Sequence, residues 1–260
     1  MFQLKNALRN KHHTVGSWLT FSSEAPTEIM AQAGFEWLVL DMEHAPLDIA
    51  TAARLIRIVD LAGLPALCRL PANDATIAKS VLDAGAAGII VPCIESAEAA
   101  RQVVASAYYP PHGKRGVGLA RAQAYGGGLE AYRDQIADSL VVIVMIETRR
   151  GMEAAAEIAA VPGIDGMFIG PYDLSASLGH IGELDHQDVQ RAEQNILQAA
   201  EDAGVACGLH VVHPDAATLS AAIQRGYTFL AVGVDMIFLR EATAAAMKSV
   251  ASYLSYGVPK

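Results

Sequence analysis

The stretch LVVIVMIE, residues 140–147, decides the fold, because seven consecutive apolar residues end there in a carboxylate. A continuous apolar run of this kind is typical of a strand buried on both faces, as in a parallel sheet covered by helices. Similar runs recur along the chain. The eight predicted strands are 15–21, 35–41, 65–70, 87–94, 140–147, 166–171, 205–212 and 228–235.

Helical patterns fill the segments between these strands. Stretches such as LDIATAARLIRIVDLAG carry apolar residues at helical spacing, and several end in glycine, as helices often do. Eight alternating strand–helix units predict the α/β class and a closed (β/α)8 barrel, or TIM barrel, as a single domain over residues 1–260. A doubly wound open sheet is the alternative, but VGSWLTFSSEAP lacks the GxGxxG turn that usually follows its first strand.

Composition excludes several classes of function. The net charge of −9 argues against nucleic-acid binding, which calls for a basic surface. No run of about 18 apolar residues predicts a membrane span, and the charged start MFQLKNALRNKHH does not resemble a signal peptide. Cys68, Cys93 and Cys207 form no CxxC pair and lie in apolar runs, so we expect reduced core thiols in a cytoplasmic protein.

Polar side chains collect at the carboxyl ends of the predicted strands, where barrel enzymes place their reactive groups. The residues concerned are Asp41, Glu43, His44, Arg69, Glu95, Glu147, Asp173, His210 and Asp235. Because all the carboxyl ends of a parallel barrel meet at one face, we expect these groups to converge on one site rather than to lie in separate solvated loops.

Glu147 and Asp173 follow neighbouring strands and predict a metal site. A carboxylate after a long apolar run is costly to desolvate without a cation, and two adjacent carboxylates repel each other unless a divalent ion lies between them. Oxygen ligands with room for water and substrate suit Mg²⁺ or Mn²⁺. Ordinary helix caps or surface ion pairs are the alternative for both residues.

Arg69, His44 and the segment GPYDLS, residues 170–175, are the candidates for substrate contacts and proton transfer. An arginine in a barrel mouth suits a carbonyl or developing enolate oxygen; an ion pair with a nearby acid is the alternative. A histidine can exchange protons near neutrality, which makes His44 a candidate acid–base. GPYDLS begins a helix whose N–H groups suit a substrate carboxylate, unless Asp173 serves only to cap it.

Other features carry weaker signals. The Gly-rich segment 110–128 is long enough to be an active-site loop or lid, although a plain surface excursion is the alternative. His210 and His213 face opposite sides of a strand, which disfavours a shared metal. The sequence around Asp83 is typical of an ordinary acidic residue at the end of a helix. The remaining histidines lie in polar stretches and are expected to be solvated: His12, His13, His112, His180 and His186.

Taken together, the motifs resemble a known family. DMEHAPLD, Arg69, LDAGAAGIIVP, YYPPHGKRGVG, MIET and GPYDLS occur in the order and at the spacings of the HpcH/HpaI class II pyruvate aldolases, and the similarity covers nearly the whole chain. The resemblance implies cleavage of a 4-hydroxy-2-oxo acid to pyruvate and an aldehyde. It also implies a divalent metal (Mg²⁺, Mn²⁺ or Co²⁺) and a homohexamer that exchanges its C-terminal helix between subunits.

The resemblance further implies a role for each site residue. Glu147 and Asp173 would bind the metal, Arg69 would stabilise the enolate oxygen, and His44 paired with Asp83 would transfer protons. The substrate would contact Arg69, Gly170, Pro171, Tyr172, Asp173 and His210. Tyr172 stands where Ala or Ser is frequent, and His210 where an aliphatic residue is frequent, so both are expected to shape the acceptor end of the pocket.

Three other functions are compatible with a barrel of this kind to different degrees. A class I aldolase needs a strand-borne lysine, and none of the six lysines lies in a predicted strand. Another metal–enolate lyase or decarboxylase, acting on a CoA thioester or oxaloacetate, stays open, although no Gly-rich phosphate cradle follows strands 7 and 8. A non-catalytic sugar-acid sensor is disfavoured because the candidate catalytic groups are all present. The sequence leaves the aldehyde, the metal and the stereochemistry open.

Overall fold

A computed structural model describes residues 3–254, with side chains to residue 251. Each predicted strand run contains a strand, and all eight pair in parallel with their sequence neighbours, β1 closing on β8. The (β/α)8 barrel prediction is therefore confirmed, and the open sheet is wrong. The strands are β1 Thr14–Leu19, β2 Trp37–Asp41, β3 Ala66–Arg69, β4 Gly88–Val91, β5 Val141–Ile146, β6 Gly166–Ile169, β7 Ala206–Val211 and β8 Phe229–Val234.

Helices surround the barrel and lie at both ends of the described chain. Their bounds are α1 Leu4–Arg9, α2 Glu24–Ala31, α3 Ile49–Leu61, α4 Ala75–Asp83, α5 Ala97–Ala107, α6 Leu129–Ser139, α7 Arg149–Glu153, α8 Ala155–Ala159, α9 Pro171–Leu178, α10 Gln187–Ala203, α11 Ala216–Arg225 and α12 Asp235–Leu254. Among residues 3–254 we find no helix that is both long and apolar enough to cross a membrane.

Local sequence signals explain where the helices start and stop. Asp48 and Asp74 cap α3 and α4 by accepting backbone N–H groups of the first turn. The glycines expected to follow helices adopt the left-handed φ that other residues avoid: Gly63, Gly85, Gly204 and Gly226. These caps set the lengths of the βα units, which in turn aligns the strand ends.

Two apolar layers hold the barrel together. One lies between strands and helices, and the other fills the barrel interior around Trp18, Trp37, Phe168 and Phe229. Trp37 stacks on Phe229 with ring centroids 4.1 Å apart. A Cβ on Gly16 would lie 2.1 Å from the Trp37 ring, so this strand position requires glycine. The barrel interior is therefore a packed core and not a pore.

Helix α1 closes the amino-terminal end of the barrel. Leu4 and Leu8 belong to the interior apolar layer, while the buried Lys5 Nζ lies 3.1 Å from Asp165 Oδ2 and 2.8 Å from the Tyr108 hydroxyl. Burial lowers the pKa of Lys5 and raises that of Asp165. Lys5 thus lies at the amino ends of the strands, away from their carboxyl ends.

The long segment 110–128 packs against helices at the amino-terminal side of the barrel. Arg115 pairs with Asp83 at the end of α4, and Arg121 pairs with Asp60 near the end of α3. The Arg115 side chain is fully buried, with its guanidinium over the rings of Tyr109 and Tyr132. Within its own chain, the segment is therefore not a lid over the strand ends.

Candidate active site

A cavity of about 260 Å³ opens at the carboxyl ends of the strands, where the sequence predicted the site. Eight of the nine predicted catalytic, metal-binding and substrate-binding residues line it or its wall, and Asp83 is the exception. The lining residues are Trp18, Thr20, Asp41, His44, Arg69, Met145, Phe168, Ile169, Gly170, Pro171, Tyr172, Asp173, His210, Val212, Val234 and Met236, and Glu147 packs against Gly170.

Arg69 is fixed in the pocket by two carboxylates. Its Nε and Nη2 donate to the two oxygens of Asp41 at 2.9 and 2.6 Å, and Nη1 lies 3.2 Å from Glu43 Oε2. Asp41 is the register partner of Arg69 across β2 and β3, and the guanidinium also lies over the Trp18 ring. Arg69 therefore forms the ion pair that was the alternative, and its guanidinium has further N–H bonds that could donate to a ligand.

Asp41 also shapes the turn after β2. Its Oδ1 accepts the backbone N–H groups of Glu43 and His44. Burial raises the pKa of Glu43, while Arg69 opposes that change. One buried carboxylate thus orients both the arginine and the loop that carries His44.

A buried carboxylate, that of Glu147, also lies at the pocket wall. Glu147 is 4% exposed, and its Oε1 accepts the backbone N–H of Cys93 at 2.7 Å. Burial, together with the charges of nearby Glu147, Glu43 and Asp173, raises the pKa of the Cys93 thiol to about 12. Glu147 and Asp173 follow the paired strands β5 and β6, so both lie at the same end of the barrel.

The expectation that Cys93 is a core thiol is wrong, whereas Cys68 and Cys207 are buried as expected. Cys93 adopts a φ of +53°, which turns it out of the apolar run that follows β4. This rare conformation for a non-glycine residue also aims its N–H at Glu147.

The donor set fits a hard divalent cation. Among the described side chains, no lysine, arginine or histidine pairs with Glu147, although its carboxylate is almost fully buried. A buried carboxylate that lacks a counter-charge is strongly destabilising, and a cation shared with Asp173 would remove that cost. Gly170 allows the close approach, since a Cβ there would lie 2.7 Å from Glu147 Oε2.

Helix α9 begins at the wall of the same pocket. Gly170 is its N-cap and supplies no side-chain cap, and Pro171 occupies the first turn. The free N–H groups of such a start favour an anion, as predicted for a substrate carboxylate. Tyr172, 57% exposed, stands at the rim beside them.

His210 presents an unprotonated nitrogen near the pocket. Its Nε2 lies 2.8 Å from the Gly233 carbonyl oxygen, which can only accept, so Nε2 carries the proton and Nδ1 is left as an acceptor. Burial lowers the pKa of His210 to about 4. His213 instead pairs with Glu241, so the two histidines do not share a site.

Comparisons with known proteins agree with this geometry. The family model described as HpcH/HpaI aldolase/citrate lyase matches residues 14–242. The chain belongs to this family. It is 39% identical over 256 residues to a hydroxypyruvate/pyruvate aldolase of Paraburkholderia phytofirmans, covering 96% of this chain and 97% of the relative. The predicted family resemblance and the prediction of a carbon–carbon lyase are confirmed.

Two further HpcH/HpaI relatives extend the comparison. A 5-keto-4-deoxy-D-glucarate aldolase of Escherichia coli is 39% identical over 242 residues, which is 93% of each chain. The crystal structure of a family member from Burkholderia cenocepacia superposes with a TM-score of 0.89 at 38% identity, covering 95% of this chain and 98% of that one. The likeness therefore extends over the whole barrel.

The HpcH/HpaI barrel does not bring His44 and Asp83 together within one chain. His44 is exposed in the loop after β2, with Nε2 3.9 Å from Glu43 Oε2. Asp83 ends α4, which leads into the amino end of β4, so it lies at the opposite end of the barrel. There it accepts hydrogen bonds from Arg115 and Gln123.

Sequence reasoning missed three pocket residues as functional ones. Asp41 and Glu43 were recognised as strand-end acids but not as the partners of Arg69, and the strand register was the missing signal. Trp18 is 3% exposed, lines the pocket and has no hydrogen-bond partner for its indole N–H. A tryptophan at the end of the first apolar strand was the only hint in the sequence.

Proposed function

We propose that this protein is a metal-dependent aldolase that cleaves a 4-hydroxy-2-oxo acid to pyruvate and an aldehyde. The observation that carries the proposal is that buried Glu147, which has no cationic partner among the described side chains, and Arg69, which Asp41 and Glu43 hold in place, lie at one cavity of about 260 Å³. Names of relatives support it, since two of them are aldolases of small oxo acids. The three free thiols fit the cytoplasm as its location.

In this proposal, Glu147 and Asp173 hold the divalent cation, Mg²⁺, Mn²⁺ or Co²⁺. When bound, the cation supplies a positive charge that stabilises the enolate as it forms. Asp41 and Glu43 hold Arg69 so that its free N–H bonds meet the same developing oxyanion without reorganisation. The start of α9, from Gly170 to Asp173, binds the carboxylate of the 2-oxo acid.

Cleavage begins with the loss of a proton from the substrate. His44 serves as the base that takes the proton from the 4-hydroxyl group. The electron pair of that O–H bond then forms the aldehyde C=O. The C3–C4 bond breaks, and its electrons become the enolate of pyruvate. A proton returned to C3 completes pyruvate, so the base acts as the acid in the second half.

The acceptor end of the pocket favours a polar aldehyde. His210 offers Nδ1 as a hydrogen-bond acceptor and is neutral near pH 7, with a pKa of about 4. Tyr172 adds a hydroxyl group at the rim. We propose hydroxylated substrates of the sugar-acid type, in line with the glucarate-derived substrate named for one relative.

Metal removal is expected to abolish pyruvate formation. Pyruvate release from a panel of 4-hydroxy-2-oxo acids, coupled to lactate dehydrogenase, should stop with EDTA and return with Mg²⁺ or Mn²⁺, because Glu147 lacks its counter-charge without a cation. A hydroxylated acceptor should give the highest kcat/KM. If the metal-loaded protein releases no pyruvate from any substrate of the panel, the result would favour another metal–enolate lyase or a decarboxylase instead.

We further propose that Asp83 acts in the site of a second copy. Asp83 lies at the opposite end of its own barrel from His44, and exposed Val117 and Leu119 flank Gly118 beside its carboxylate. Helix α12 projects with Leu239 to Val250 exposed, and part of the predicted exchanged tail, residues 255–257, lies outside the described residues. A homo-oligomer, expected as a hexamer, would cover these surfaces.

Mixed oligomers test this arrangement. His44→Ala and Asp83→Asn are each expected to lose at least about 10²-fold in kcat, the usual contribution of an acid–base group. Co-expression of both should recover a measurable part of the activity, because some sites then receive His44 from one chain and Asp83 from another. Failure to recover any activity in a mixed oligomer shown by mass spectrometry would contradict the proposal.

A further inference from the structure

A second cluster of metal-ligating side chains lies in the loop HIGELDH, residues 180–186, between α9 and α10. His180, Glu183 and His186 each offer one ligand atom, and these atoms all lie within 4.8 Å of one another. The histidines were expected to be solvated. Instead their rings stack with centroids 3.4 Å apart, and their side chains are only 27% and 34% exposed.

The backbone holds the three residues in a regular arrangement. The N–H of Glu183 bonds to the carbonyl of His180, and the N–H of His186 bonds to the carbonyl of Glu183, so each follows the previous one by one turn. Ser175 of α9 anchors the loop, because its Oγ accepts the N–H of Gly182 at 2.9 Å. These hydrogen bonds hold the three ligands near one another before a metal binds, which lowers the entropy cost of binding.

His186 Nδ1 accepts the backbone N–H of Asp188 at 3.2 Å, so Nε2 is the nitrogen of His186 that is left to meet a cation. His180 Nδ1 lies 3.9 Å from Glu183 Oε2, beyond hydrogen-bond reach. Two ligand atoms on a tetrahedral zinc ion are roughly 3.4 Å apart, given metal–ligand distances of about 2.1 Å. Glu183 has an exposed side chain that can rotate to close the difference. The other nitrogen of His180, Nε2, lies 3.5 Å from Asp188 Oδ2.

We propose that His180, Glu183 and His186 bind a transition-metal dication such as Zn²⁺, with Asp188 orienting the imidazole of His180. Two imidazoles and one carboxylate are a recurrent zinc ligand set, and a carboxylate behind a ligating histidine is its usual support. The nitrogen donors separate this site from the all-oxygen cluster of Glu147 and Asp173, which suits Mg²⁺. The site stands independently of the proposed aldolase reaction.

Equilibrium dialysis with Zn²⁺ tests the site in full-length protein carrying Glu147→Gln, which weakens binding at the strand-end cluster. One Zn²⁺ per chain is expected in this background. Adding His186→Ala or Glu183→Gln should weaken its affinity at least tenfold, whereas His213→Ala, which removes a comparable histidine paired with a glutamate, should leave it unchanged.

Each outcome of the dialysis either supports or contradicts the zinc site. Glu183 is 68% exposed on its side chain, so its replacement by glutamine is not expected to disturb folding, and circular dichroism checks this. Absence of saturable Zn²⁺ binding, or equal affinity with and without Glu183→Gln and His186→Ala, would overturn the proposal. Pyruvate release is measured separately, so a failed zinc site and a failed aldolase assignment give different results.

Discussion

Arg69→Lys is expected to lower kcat/KM for pyruvate-forming cleavage by about 10²–10³-fold, the usual cost of removing one preorganised oxyanion donor. A lysine keeps the charge but cannot make the two parallel bonds to Asp41 and the contact to Glu43 that fix the guanidinium. Its ammonium would be drawn to these acids and away from the substrate. Steady-state kinetics with the best substrate of the panel measure the loss, which should fall mainly on kcat.

Arg54→Lys is the matched control for this change. Arg54 pairs with Glu24 on the helical surface, where both side chains are more than half exposed, so the same substitution should leave kcat/KM within about twofold. If Arg69→Lys retained full activity while folding normally, Arg69 would serve only to balance the charge of Asp41, and the enolate role would be withdrawn.

The barrel could be predicted from the sequence because its signals are local. Each strand is a short apolar run, and several helices end at a glycine or begin at a capping aspartate, so these signals do not depend on contacts between distant residues. The strand-end positions of Arg69, Glu147 and Asp173 followed from the same pattern. Once eight parallel strands close a barrel, their carboxyl ends must share one face.

Other features depend on contacts that no local pattern shows. The pairing of Asp41 with Arg69 needs the register of β2 against β3. The exposure of Cys93 needs a single backbone angle, a φ of +53°. The stack of His180 on His186 depends on the turns of one loop, which composition describes only as polar. The proton-transfer role of Asp83 follows only from the family resemblance. The topology places Asp83 at the opposite end of its own barrel from His44, so the two residues cannot act together within one chain.

Glu147→Gln is expected to abolish catalysis, with at least about a 10³-fold loss in kcat, because a neutral amide is a poor ligand for a hard cation and several kcal/mol of transition-state stabilisation go with the metal. Folding should survive, since the amide oxygen can still accept the N–H of Cys93. Glu95→Gln is the matched control. Glu95 follows β4 just as Glu147 follows β5, so both lie at the carboxyl ends of the strands. Unlike Glu147, Glu95 pairs with an arginine, the exposed Arg150.

Thermal unfolding of the same variant gives a test that does not depend on activity. In EDTA, Glu147→Gln should be at least as stable as the wild type, because it removes a buried carboxylate that has no cationic partner in the described chain. Mn²⁺ at 100 times its dissociation constant should then stabilise the wild type by about 2.7 kcal/mol and leave the variant almost unchanged. A variant that gains as much from Mn²⁺ as the wild type would place the catalytic metal elsewhere, because a cation held by Glu147 cannot stabilise a protein that lacks this carboxylate.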